Sequence, residues 1–127
     1  MKTKLSLLAA LLVLCLPASA QTKHAMLGVA FGQTSGAPSA TLTWTASATP
    51  GSTVTVYRCV GTSCTAFTQI ATGIAAGGPY VDTTVTAGAY SYYVTATVNG
   101  VASGPSNTAT GTLSPLPPTG LSVATAN

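Results

Sequence analysis

Apolar and polar residues alternate in short runs along most of this chain, with little of the three-to-four-residue period that a helix would impose. The clearest runs are Ala40-Thr-Leu42-Thr-Trp44-Thr-Ala46 and Val54-Thr-Val56-Tyr57, on either side of a Pro50-Gly51 turn. Such a pair predicts two half-buried strands, over 39–46 and 53–60. Ala40, Leu42 and Trp44 share one face and Thr41, Thr43 and Thr45 the other, as in a sheet with one solvated side. The alternation makes Trp44, the only Trp, a core residue rather than an exposed ligand platform. Val54 and Val56 face inward, and Tyr57 and Cys59 share the outer face.

The same pattern extends in both directions. Leu27, Val29 and Phe31 predict a first strand over 26–31, followed by a loop over 32–38. Gly61-Thr-Ser63 reverses the chain, and a fourth strand is predicted from Cys64 through Phe67 and Ile70 to Ala71. A glycine-rich loop over 72–78 leads to a fifth strand, 79–85. There Asp82, ahead of Thr83-Thr84, caps a turn through its carboxylate. Residues 89–99 carry the longest strand signal, with Tyr90, Tyr92, Val94, Ala96 and Val98 on one face. Asn99-Gly100 is a strong hairpin turn, and a seventh strand is predicted over 105–113. Seven short strands with regular turn signals predict an all-β sandwich.

Composition narrows the setting. Charged residues make up 4% of the chain, against roughly a quarter in an ordinary soluble domain. Disorder would require low hydrophobicity and high net charge, whereas this chain is 46% hydrophobic with a net charge of +3. Residues 1–20 have the form of a secretory signal peptide: Lys2 and Lys4, an apolar stretch Leu5–Leu16, Pro17, then Ala18-Ser19-Ala20. Cleavage is expected before Gln21. An uncleaved anchor is disfavoured because the apolar stretch is short of the ~20 residues a span needs. Acylation at Cys15 is disfavoured because Leu12-Val13-Leu14 lacks the small residue expected there. Removal of the signal leaves Lys23 and Arg58 against Asp82, a side-chain charge of +1. That is too little basic surface for nucleic acid, and no stable membrane span would remain. Cys59 and Cys64 also remain, and in an exported chain they favour a disulfide across a hairpin end over a redox pair or free thiols.

Few residues could carry chemistry. A two-carboxylate site needs two acids, and Asp82 is the only one. His24, the single histidine, lies in the 21–25 lead-in, so neither a Ser-His-Asp site nor a three-ligand zinc site can be assembled. No catalytic, cofactor-binding or metal-binding residue is assigned, and the chain is expected not to be an enzyme.

Taken together, Leu42-Thr-Trp44, Val54-Thr-Val-Tyr-Arg58, Tyr80-Val-Asp-Thr-Thr-Val85, Ala87-Gly88, Tyr90-Ser-Tyr-Tyr-Val-Thr-Ala96 and Pro105-Ser-Asn107 resemble a fibronectin type III domain of the kind found in bacterial secreted proteins. The resemblance covers about 39–113. It implies an immunoglobulin-like sandwich of three strands against four, with Trp44 in the core and Tyr90 as a corner tyrosine bonded to backbone at the preceding turn. The expected core comprises Leu42, Trp44, Val54, Val56, Tyr90, Tyr92 and Val94. The family's Pro-x-x-Leu-x-Val opening is absent at 26–31 but present at Pro118-Thr-Gly-Leu121-Ser-Val123. The sandwich is therefore assigned to 26–114, and 115–127 is either a Pro-rich tail or the start of a truncated second module.

The function expected from these features is that of a secreted or cell-surface, non-catalytic module that binds a protein or polysaccharide or acts as a spacer. Tyr57, Tyr93 and the 71–80 loop are the candidate contacts. Two alternatives are a fragment of a modular extracellular enzyme, and a structural subunit of an appendage or virion whose tail donates a strand to a neighbour. The tail could also fold back as this domain's own first strand.

Overall fold

The computed structural model describes residues 27–33 and 37–124. The expected signal peptide, the lead-in with His24, Met26 of the expected first strand, residues 34–36 of the expected loop and residues 125–127 lie outside the described residues. Among the described residues there are eight strands: β1 Gly28–Gly32, β2 Ser39–Thr43, β3 Thr53–Val60, β4 Thr68–Ala75, β5 Tyr80–Asp82, β6 Gly88–Val98, β7 Val101–Ala102 and β8 Ala109–Leu113. One sheet has the order β1-β2-β5, and the other runs β4-β3-β6, with β7 and β8 both paired to β6. All pairings are antiparallel. The two sheets face each other as a sandwich.

Strands β3 and β6 bury most of the inward residues that alternation predicts, and Thr55, Ser91 and Thr95 of the other face are buried as well. Val54, Val56, Tyr90, Tyr92 and Val94 are buried together with Leu27, Ala40, Leu42, Val85, Ala109 and Leu113. The Asn99-Gly100 turn has positive φ at both residues, 50° and 79°, the conformation that suits a tight hairpin.

Four expectations need correction. The fourth strand starts at Thr68, not Cys64, because the Cys59–Cys64 disulfide holds Cys64 inside the hairpin loop. It then runs to Ala75, through what reads as a glycine-rich loop. The fifth strand is only Tyr80–Asp82. The seventh strand is two pieces, because residues 103–108 bulge opposite the shorter stretch 93–96 of β6. The serines replace the missing ladder there. Ser103 N and Ser106 N donate to the carbonyls of Ala96 and Val94, and their hydroxyls accept from the amides of the same two residues.

The fourth correction concerns Trp44. Strand β2 ends at Thr43, so the alternation stops before the indole, which is half-buried against the rim of the core. Its Nε1 donates to the Ala76 carbonyl at 2.7 Å. A ring that needs a hydrogen-bond acceptor settles where it finds one, at the edge. Gly78 makes that seat possible: it has φ +60°, and a Cβ there would lie 3.0 Å from the indole.

Candidate binding face

On the outer face of the larger sheet, the alternation of β3 and β6 sets Tyr57 and Tyr93 side by side as register partners. Their rings stack with centroids 4.7 Å apart and planes 19° from parallel. Phe67, at the end of the β3–β4 loop, packs on Tyr93 at 4.8 Å with a 59° tilt. Each of the three remains partly exposed. Partial burial pushes the Tyr93 hydroxyl above the ordinary tyrosine range, with the neighbouring Tyr57 adding to it.

The loop that supplies Phe67 is tied down at several points. Cys59 and Cys64 are bonded across it, with Cα atoms 6.2 Å apart. Gly61 N donates to the Ala89 carbonyl, and Ser91 Oγ donates to the Gly61 carbonyl at 2.7 Å. Ser91 is thereby buried on a face where alternation alone would leave it solvated. Thr55, on the same face, is also buried and shares a 3.0 Å hydrogen bond with Thr72. The 71–80 segment offers less than its composition suggests. Residues 71–75 belong to β4, and only the short turn at 76–79 lies between strands.

Beneath this face, Asp82 takes a fully structural role. Its Oδ1 accepts from Thr84 N and Thr84 Oγ1, at 2.9 and 2.7 Å. Its Oδ2 accepts from Arg58 Nη1 at 2.7 Å and from the Tyr92 hydroxyl at 3.1 Å. The turn cap at Thr84 was legible from Asp-Thr-Thr, but the Arg58 and Tyr92 contacts were not. Both partners come from the opposite sheet, and their spacing from Asp82 follows no local rule. Burial works against ionisation of this carboxyl. The two Thr84 hydrogen bonds and the Arg58 guanidinium outweigh it and hold the pKa below the usual carboxylate value. Tyr92 is pushed well above the ordinary tyrosine value, first by burial and then by the Asp82 charge. Tyr90 reaches back across its turn, where its hydroxyl accepts from Thr86 N at 3.0 Å.

Arg58 and Asp82 are the only Lys, Arg, His, Asp or Glu among the described residues, and they pair with each other. The described surface is therefore built from hydroxyls, amides, backbone and apolar groups. No group of three metal-ligating side chains is found among the described residues, nor any helix long and apolar enough to cross a membrane.

A scan against protein-family models gives no match, and neither does a search of curated proteins. Solved structures do match. An Fn3-like protein from Clostridium thermocellum is 33% identical over 70% of this chain and 92% of its own, with a TM-score of 0.54. The fibronectin type-III domain of human fibronectin type III domain containing protein 3 is 21% identical over 77% of this chain and 93% of its own, also at 0.54. The second similarity speaks to fold alone. The first joins sequence identity to near-complete coverage of a whole domain, and with the β1-β2-β5 and β4-β3-β6 sheets it establishes that this chain belongs to the fibronectin type III-like family.

Proposed function

We propose that the chain is an exported, non-catalytic module that binds a protein or glycan at the cell surface or spaces the domains beside it. The supporting observation is the aromatic cluster of Tyr57, Tyr93 and Phe67, held on the outside of a rigid sheet by a disulfide-bonded loop. The saturated carboxylate of Asp82 supports the non-catalytic part. Both oxygens of the only acid in the sequence are engaged, Oδ1 in capping the turn at Thr84 and Oδ2 in joining the two sheets through Arg58 and Tyr92. The test has two arms. N-terminal sequencing of the product recovered outside the producing cell should begin at Gln21. A pull-down from that cell's surface fraction should depend on Tyr57 and Tyr93. A chain retained in the cytoplasm would overturn the reading.

A second reading is favoured by the tail. Leu121 and Val123 alternate with Ser122 and are 98% and 86% exposed, an unusual state for a Leu-x-Val strand pattern. Such a segment suits the opening strand of a following module, as in a modular extracellular enzyme, or a strand donated to a neighbouring copy. Reading the coding DNA past Asn127 tests the first. Sedimentation after deletion of residues 117–127 tests the second.

A further inference from the structure

We infer that the ligand of the Tyr57–Tyr93–Phe67 face is a neutral polysaccharide, a conclusion that rests on reading the domain as a binding module. The first argument is charge. The single ion pair of the described residues is turned inward, so the face has no ion to offer a charged partner. Docking a phosphate, carboxylate or ammonium there would strip its water without a compensating charge, which costs several kcal/mol per ion. Nucleic acid and acidic polymers are excluded on the same ground, since their affinity comes from cations on the protein.

The second argument is the chemistry of the face. Its centre is three aromatic rings, and its margin carries Gln69, the register partner of Tyr57, together with the hydroxyl of Thr72, which bonds Thr55 of the same face; both are exposed. A partly exposed aromatic cluster edged by neutral donors and acceptors matches a pyranose, which presents C–H bonds on its faces and hydroxyls around its rim. Tyrosine is suited to such a contact because it has an apolar body and a polar tip.

The third argument is rigidity. Tyr57 and Tyr93 stand on paired central strands, and Phe67 is carried by a loop closed by Cys59–Cys64 and anchored through Ser91 to Gly61. A weak, uncharged ligand gains measurable affinity only where little ordering is left to be done on binding.

The experiment is depletion of the full exported chain from solution by suspended microcrystalline cellulose, insoluble xylan, chitin and starch granules. Each is measured at low and at high salt, with polygalacturonate gel as the acidic control. Binding to at least one neutral polymer is expected, unchanged by salt and absent on polygalacturonate. Tyr93→Ala should weaken it about tenfold, as expected for the centre of a contact. Tyr57→Phe, which keeps the ring stack, should fold as the parent does and retain most of the binding. Failure to bind any of the four neutral polymers, loss of binding at high salt, or full binding by a folded Tyr93→Ala variant would overturn the inference. If the polymers fail but the chain is captured by surface proteins through Tyr57 and Tyr93, the glycan assignment falls and the binding-module reading stands.

Discussion

Arg58 Nη1 lies 2.7 Å from Asp82 Oδ2, and this contact ties β3 in one sheet to β5 in the other. The Asp82 side chain is 1% exposed and that of Arg58 22%. The guanidinium also donates to Thr84 Oγ1 at 2.7 Å and lies 5.7 Å from the centre of the Tyr90 ring. A buried ion pair is costly to assemble, but it is far more costly to leave half of it behind.

Asp82→Ala should therefore be the most damaging single substitution of a polar residue in the domain. It strands Arg58 and leaves the Tyr92 hydroxyl and Thr84 amide without their acceptor. A loss of about 3–5 kcal/mol is expected by chemical denaturation. A loss below ~1 kcal/mol would mean that the contact contributes little in solution.

Stability should respond to pH at both extremes. The Asp82 carboxyl is held below its ordinary value in the folded chain, so its contribution is fully present above about pH 4, where the unfolded carboxyl is ionised. It is lost as the pH falls through the lower folded value. Tyr92 is shifted upward, so its contribution holds below about pH 10 and fades as the pH rises beyond that, when the unfolded tyrosine ionises first. Melting temperature against pH should show a broad plateau with an acid limb that disappears in Asp82→Asn.

Phe31 of β1 packs across the sandwich edge onto Gly111 of β8, where a Cβ would fall inside the space of the ring. Gly111→Ala is expected to cost about 1–3 kcal/mol by overpacking. The double variant Gly111→Ala with Phe31→Leu should recover part of it. Additive losses in that double-mutant cycle would show that the two residues do not meet.

Reduction of Cys59–Cys64 should loosen the loop but leave the sandwich intact. The bridge spans a sequence separation of 5, so the entropy it removes from the unfolded chain is worth about 2 kcal/mol. Faster amide exchange confined to the β3–β4 loop and to Phe67 is expected after reduction. Global unfolding at ordinary temperature would contradict the local role.

Much of this architecture was written in local order. Period-two alternation identified β3 and β6 and their inward faces, because a strand exposes alternate residues to opposite environments whatever it pairs with. Turn chemistry located Asn99-Gly100, and two cysteines close in sequence at one end of a hairpin announced their own bond. Tyr57 and Tyr93 could be assigned to an outer face in the same way. Their stacking on each other, and the addition of Phe67 from a loop, depended on the register between strands 36 residues apart in sequence.

The remaining features depended on distances through space. Alternation carried Trp44 into the core, yet the strand stopped one residue short and the indole went to the Ala76 carbonyl at the rim. Ser103 and Ser106 read as ordinary strand or loop residues, and only the bulge opposite β6 turns their hydroxyls into ladder acceptors. Asp82 read as a turn cap, and it is one, but the packing of two sheets brought Arg58 and Tyr92 to its second oxygen. Alternation decides which way a side chain faces because that is a property of one strand. What it meets there is set by the strands and sheets packed around it, and that information is not local.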